Sequence, residues 1–262
     1  MTNDYSSFEL MSVFLSRQLK DGDVLKVGVA LPVVEAAIRL AHLMHGPNMD
    51  LVFFGHRMNV AHLHHLPMPA YGWDNRVVRW AESFSDTGHR FERLKDWQNS
   101  VFFIGGVQVD MHGNTNLIGV GSDYKKLSFR GPGSVGSPTL STHIGRYYIV
   151  LNSHVSRVLV ERCDYISTIG WGDGGPDERR RIGLPGGGPQ FCLTPLCIMD
   201  FTENEKRMRL HTIHPGVSEA DIHANTGFKV ITGKETPTTP APSEEELHVL
   251  RTRVDLSGML RR

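Results

Sequence analysis

The chain has 262 residues, and its 28 Lys and Arg balance 28 Asp and Glu, so it can bury a substantial core and carries no overall basic field to attract nucleic acid or an anionic membrane. No apolar run approaches the ~20 residues that span a bilayer, and no basic, then apolar, then small-residue pattern opens the chain. The expectation is a cytoplasmic protein without a nucleic-acid or membrane partner. Cys163, Cys192 and Cys197 are odd in number and lack a second pair to complete a zinc site, which fits free thiols in core or strand positions.

Ser6 with Glu9 forms a capping box ahead of Phe8, Met11, Phe14, Leu15 and Leu19, whose three-and-four spacing makes one apolar helix face, ended by Asp21-Gly22-Asp23. A strand over 24–31, a helix from Pro32 through Leu43 closed by Gly46-Pro47, and a buried strand over 51–54 make a βαβ unit. That strand runs into a loop carrying His56 and Arg57. His62, His64 and His65 follow without an Asp, Glu or Cys at ligand spacing, so a solvated loop and no metal are expected there. Helices over 75–85 and 91–97 precede a buried strand over 101–104.

Val107, Val109 and Met111 then alternate up to the turn residues His112-Gly113-Asn114, the pattern of a hairpin or a bulged crossing. Strands are expected over 147–151 and 158–160, and 191–201 with 207–213 form an antiparallel pair around the polar turn 202–206. Ser218 caps a helix that Gly227 ends. The Thr- and Pro-rich stretch 233–242 reads as an extended connection, and Ser243 with Glu246 opens a last helix over 243–253. With no strong compositional boundary, the expectation is a single domain over 1–262. Its class is α/β, an open, mostly parallel sheet flanked by helices with an antiparallel addition.

Two segments are rich in glycine. Gly131-x-Gly133-x-x-Gly136 has the spacing of a dinucleotide fingerprint but not its setting, since Pro132 removes an N–H and no acidic residue stands about 20 positions on. Either a turn needs positive φ angles there, or the N–H groups of Gly133, Ser134 and Val135 receive an oxyanion or a thioester oxygen. Segment 170–190 is too long and glycine-rich for a simple connection. Its Arg179, Arg180 and Arg181 either meet a carboxylate or phosphate or form a solvated face.

The stretches VFFIGGVQVDMHGNTN, FRGPGSVGSP, DYISTIGWGDGG followed by RRRIGLPGGGPQ, and HP and NTGF near the end give the chain a resemblance to the β subunit of type I (glutaconate-type) CoA-transferases. The similarity runs from Ser7 to about Asp255, with its motifs in the same order. It implies a CoA-transferase-like α/β fold and a homologous α subunit, in an αβ, α2β2 or larger assembly. It also implies an acyl-CoA substrate lying at the subunit junction, with coenzyme A present only as part of that substrate and no permanently bound cofactor.

In family members that transfer CoA, the strand corresponding to 51–54 ends in a glutamate within a Val-Glu-Ser-Gly-like motif, and that carboxylate attacks the thioester. This chain has Phe53-Phe54-Gly55-His56 instead. Phenylalanine has no nucleophilic atom, so covalent transfer cannot proceed through Phe54, and the nearest carboxylates, Asp50 and Asp74, are off the motif. The resemblance therefore implies an enzyme subunit acting on an acyl-CoA by carbon–carbon cleavage. That means hydrolytic opening of a steroid-derived or other cyclic acyl-CoA, or decarboxylation, as in relatives that changed the reaction.

The expected catalytic site is His56, Phe54 and Gly55, with the imidazole as acid or base. Substrate or CoA contacts are expected from Arg57, Gln108, Asn114, Asn116 and the loop residues Gly131, Gly133, Ser134, Val135 and Gly136; His112 and His143 are weaker candidates. Two alternatives stand beside this reading: a genuine dicarboxylate CoA-transferase subunit with its nucleophile elsewhere, and a non-catalytic scaffold subunit.

Overall fold

The computed structural model describes residues 4–27, 31–53, 55–69, 75–86 and 94–261. Its contacts fall into two compact units, residues 1–103 with 240–262 and residues 104–239, where the sequence shows no boundary. The reason is local. The first crossing lies inside an apolar strand rather than in a Gly- or Pro-rich linker, and the second lies inside the extended connection 233–242.

In the first unit, helix α1 (Ser7–Ser16) starts at the expected capping box, with Glu9 N donating to Ser6 Oγ at 3.0 Å and Ser6 N donating to Glu9 Oε2 at 2.9 Å. Leu10, Met11, Phe14 and Leu15 are buried, and α1 packs on α2 (Pro32–Met44), which opens on proline. β1 (Val24–Val27) pairs in parallel with both β2 (Asp50–Phe53) and β5 (Ser100–Ile104), so the βαβ unit forms as expected. β3 (His56–Asn59) and β4 (Ser83–Phe84) add antiparallel strands, giving the order β5-β1-β2-β3-β4.

The C-terminal segment returns to this unit. Helix α6 (Glu244–Val249) starts at the Ser243–Glu246 capping box, and Arg17 Nη2 meets Glu246 Oε2 at 2.6 Å. Arg251 Nε donates to the buried Glu9 at 2.8 Å, tying the helix that follows the connection to the first helix of the chain.

In the second unit, β6 (Gln108–Val109) and β7 (Thr115–Asn116) form the expected hairpin, and β8 (Gly119–Val120) pairs with β9 (Phe129–Arg130). Helix α3 (Ser137–His143) leads to β10 (Arg146–Val150), and the short helix α4 (Glu178–Arg181) to β11 (Pro189–Leu193). β10 and β11 are parallel, while β12 (Cys197–Phe201) and β13 (Met208–Ile213) continue antiparallel around the polar turn. Helix α5 (Glu219–Asn225) has the expected Ser218 cap. The expected class, an α/β protein with parallel pairing extended by antiparallel strands, is the one that forms.

Several local expectations need correction. The helix expected over 75–85 is a 3₁₀ turn, Asn75–Trp80, followed by β4, and the one expected over 91–97 is a 3₁₀ turn at Leu94–Asn99, with residues 91–93 outside the described set. Residues 158–160 make a single bridge, Leu159 to Val109. The expected strand 191–201 is two strands, because Thr194 Oγ1 accepts from the N–H groups of Leu196 and Cys197 and turns the chain. His64 is half-buried, its Nε2 lying 3.1 Å from Nδ1 of His42 on α2, and His62 stacks on Trp80. Cys163, Cys192 and Cys197 are buried and unbridged, as expected.

Candidate functional site

The first candidate lies at the tip of the β2–β3 hairpin. Phe53 pairs with His56 in the antiparallel β2–β3 ladder. Phe54 itself lies outside the described residues. Gly55 has φ +91°, a conformation open to glycine at no steric penalty, and its carbonyl accepts from Ser85 N at 3.0 Å. His56 and Arg57 are therefore strand residues, not loop residues. The sequence concealed this because β4, which clamps the hairpin's outer edge, arrives from residues 83–84.

His56 pairs across the ladder with Phe84, and their rings meet at a centroid distance of 4.8 Å. Its Nδ1 is buried and has no hydrogen-bond partner among the described residues. Ring packing holds the imidazole while this nitrogen stays unengaged. Arg57 is already occupied, its Nε donating to Asp50 Oδ2 at 2.7 Å. That same pair removes Asp50 as a free nucleophile; Asp74 lies outside the described residues.

The second unit holds the other named residues in two different states. Gln108, Asn114 and Asn116 are buried in a hydrogen-bonded network. Asn116 Nδ2 donates to Gln108 Oε1 and to the Gly119 carbonyl, both at 2.7 Å, while its Oδ1 accepts from Ile118 N and Gly119 N. Asn114 Nδ2 donates to Asp110 and to the Gly172 carbonyl at 2.8 Å, and its Oδ1 accepts from Gly170 N. Gln108 Nε2 reaches Asp164, and its Oε1 also accepts from Asp164 N. Burial pushes the Asp110 carboxyl above the usual carboxylate range, against the hydrogen bonds from Asn114. These amides hold the hairpin to the 164–172 segment, and that work takes up the polar atoms of Asn114 and Asn116. His112 is tied likewise, through Nδ1 to the Lys206 carbonyl at 3.0 Å.

The loop 131–136 differs. Gly131 N and Gly133 N donate to the carbonyls of Ile118 and Leu117, each at 2.8 Å, so the Gly133 N–H is not available to a ligand. The N–H groups of Ser134, Val135 and Gly136 have no hydrogen-bond partner among the described residues. Gly133 takes φ +92° and Val135 φ +47°, the latter a left-handed conformation that a β-branched side chain resists, while Val135 stands 90% exposed. Gly136 caps α3. The arrangement is a short run of unengaged N–H donors next to two backbone bonds to residues 117 and 118.

The arginines of the longer glycine-rich segment do not form an anion site. Arg179 is buried and donates to the carbonyls of Gly186, Ile169, Gly170 and Ser141 at 2.6–3.2 Å. Arg180 and Arg181 pair with Asp177 and Glu178 on the same helical turn. Two buried imidazoles were not expected as site residues, His154 and the His214 of the HP motif. His154 lies between the hydroxyls of Thr194 and Thr226, and His214 bonds Thr239 Oγ1 and the Thr194 carbonyl, all at 2.8–2.9 Å; burial pulls both down to about 4. Also missed was the hairpin β8–β9, where the run Tyr124-Lys125-Lys126 and then Phe129-Arg130 interleaves aromatic and basic residues, a signal that was open to reading.

Comparison with known proteins gives the following. The family described as coenzyme A transferase matches over residues 8–225. The chain is 34% identical to the B-type subunit of 3-oxoadipate CoA-transferase from Pseudomonas knackmussii, covering 94% of this chain and 92% of that one. It is 27% identical to the cholesterol ring-cleaving hydrolase IpdB subunit of Mycobacterium tuberculosis, covering 94% of each. The crystal structure of glutaconate coenzyme A-transferase from Acidaminococcus fermentans superposes with a TM-score of 0.83 at 27% identity, covering 99% of this chain and 98% of that one.

Proposed function

The chain belongs to the coenzyme A transferase family, and from that premise we propose that it is the B-type subunit of a heteromeric enzyme that binds an acyl-CoA and breaks a carbon–carbon bond in its acyl group. The observation that carries this reading is the sequence Phe53-Phe54-Gly55-His56 where β2 ends. It offers no carboxylate, thiol or hydroxyl, and the acid on the same hairpin, Asp50, is held by Arg57. Without a nucleophile there, a covalent CoA-enzyme intermediate has no atom to form on at that position.

Carbon–carbon cleavage next to a thioester asks for something else: donors to the oxygen on which negative charge gathers, and a group that delivers or removes a proton. Each chemistry is present within a unit taken by itself, the N–H groups of Ser134, Val135 and Gly136 for the first and the His56 imidazole for the second. The substrate class is a steroid-derived or other cyclic acyl-CoA, by analogy with the ring-cleaving relative, and an A-type subunit completes the enzyme. Coenzyme A enters as part of the substrate.

The test uses the assembled two-subunit enzyme with candidate acyl-CoAs and a dicarboxylate acceptor. Products of acyl-chain cleavage, with no CoA on the acceptor, are expected. Transfer of CoA to the acceptor without cleavage overturns the reading. The 34% identity to a transferase subunit supports a second reading, CoA transfer with the nucleophile on another carboxylate; trapping with hydroxylamine or borohydride would then mark that residue in a peptide mass spectrum.

A further inference from the structure

Resting on the reading that the substrate is an acyl-CoA, we propose that the β8–β9 hairpin is a subsite for the nucleotide end of coenzyme A, with an aromatic ring for the adenine and three cations for the phosphates. The hairpin is tightly built yet leaves its largest apolar groups in water. Gly119 runs so close to the opposite strand that a Cβ there would lie 2.3 Å from the Phe129 carbonyl. Ser128 N and Oγ both bond the Val120 carbonyl, Gly121 N donates to Asp164 Oδ2 at 2.8 Å, and Asp123 caps the intervening turn by accepting from Lys125 N at 2.9 Å. Asp164 is itself fixed through Gln108 in the buried network. The hairpin's shape is therefore set before any ligand arrives, which lowers the entropy lost on binding.

On that rigid support Tyr124 is 56% and Phe129 54% exposed. Tyr124 leans its edge on Tyr165 at 6.1 Å, and the Arg130 guanidinium sits 5.1 Å from its ring centre, an arrangement that orients the ring and the charge together. Lys125, Lys126 and Arg130 are exposed and have no carboxylate partner among the described residues. Against them the run 123–130 carries one acid, Asp123, in a chain whose total charge is zero. A purine stacks on an exposed ring for about 1–3 kcal/mol, and phosphates take unpaired Lys and Arg. A protein partner would leave two lysines in its interface, where lysine is depleted, so the nucleotide is the occupant this surface fits better.

The experiment measures binding of coenzyme A, dephospho-CoA and pantetheine to the assembled enzyme by calorimetry, for the native chain, for Lys125→Gln with Lys126→Gln, and for Tyr124→Leu. The lysine pair is expected to lose about tenfold in affinity for coenzyme A, to lose its preference over dephospho-CoA, and to bind pantetheine as before. Tyr124→Leu is expected to weaken both nucleotide ligands and leave pantetheine unchanged. Unchanged coenzyme A binding in both variants overturns the proposal, as does an equal loss for pantetheine. Failure of these variants to assemble with the A-type subunit also overturns it, by assigning the hairpin to the partner. If the native complex binds no coenzyme A at all, it is the acyl-CoA reading that fails, which separates the two failures.

Discussion

Two glycine-rich stretches of the same unit, 131–136 and 170–190, look alike in sequence and have opposite patterns of internal hydrogen bonding. The longer one is drawn inward: Arg179 takes four carbonyls, and Gly186 and Gly187 approach other backbone so closely that added Cβ atoms would lie 2.4 and 2.0 Å from the carbonyls of Ile144 and Gly145. The shorter one is bonded through Gly131 N, Gly133 N and the Ser134 carbonyl and leaves three consecutive N–H groups without a partner among the described residues. Glycine content therefore does not distinguish a packing device from a ligand cradle; what distinguishes them is whether the polar groups nearby are already engaged.

The comparison can be broken at several points. The inward side is broadest in the buried imidazoles. His154 and His214 are pulled down to about 4 by burial, whereas an unfolded histidine titrates near 6.5, so the unfolded chain takes up protons first as pH falls. Their contribution is complete above pH 6.5, declines between 6.5 and 4, and is on the order of 3 kcal/mol per imidazole. Urea midpoints measured across that window should fall steeply. A flat profile would show that the two rings are not sequestered.

Arg179→Met should come next, costing about 3 kcal/mol, because three buried carbonyls lose a donor at once while the Ile169 carbonyl keeps Tyr147 Oη. Thermal denaturation of the purified complex would detect it, and an effect under 1 kcal/mol would deny the clamp. Paired substitutions then set the two stretches side by side. Gly187→Ala drives a Cβ into backbone and should lose about 3 kcal/mol, while Gly133→Ala, which meets nothing within 4 Å and suffers only from its φ of +92°, should lose about 1 kcal/mol. Equal losses would erase the distinction. The smallest change is expected at Val135→Asn: asparagine tolerates the left-handed conformation, so stability should rise by about 1 kcal/mol or less.

Legibility followed distance along the chain. The capping boxes at Ser6–Glu9 and Ser243–Glu246, Ser218 as a cap, the βαβ start and the hairpin around His112-Gly113-Asn114 all depend on neighbours within a few residues, and all were readable. The roles of Gln108 and Asn114 were not. Both are polar residues beside a turn, a pattern shared by ligand-binding and structural amides, and their decisive partners Asp164 and Gly172 stand 56 and 58 residues away. His56 misled for the same reason, since a third strand from a distant segment converted an apparent loop into a ladder.

From the sequence alone came the class of fold, the family likeness and the absence of a nucleophile at Phe53-Phe54-Gly55-His56, because side-chain identity and short-range pattern need no coordinates. Only the tertiary structure decided that Asp50 is occupied by Arg57, that the Gly133 N–H is engaged while those of Ser134, Val135 and Gly136 are not, and that Arg179 binds carbonyls instead of an anion. The physical reason is that a donor or acceptor is defined by its type, which the sequence states, but its availability depends on whether some remote part of the chain has already folded onto it.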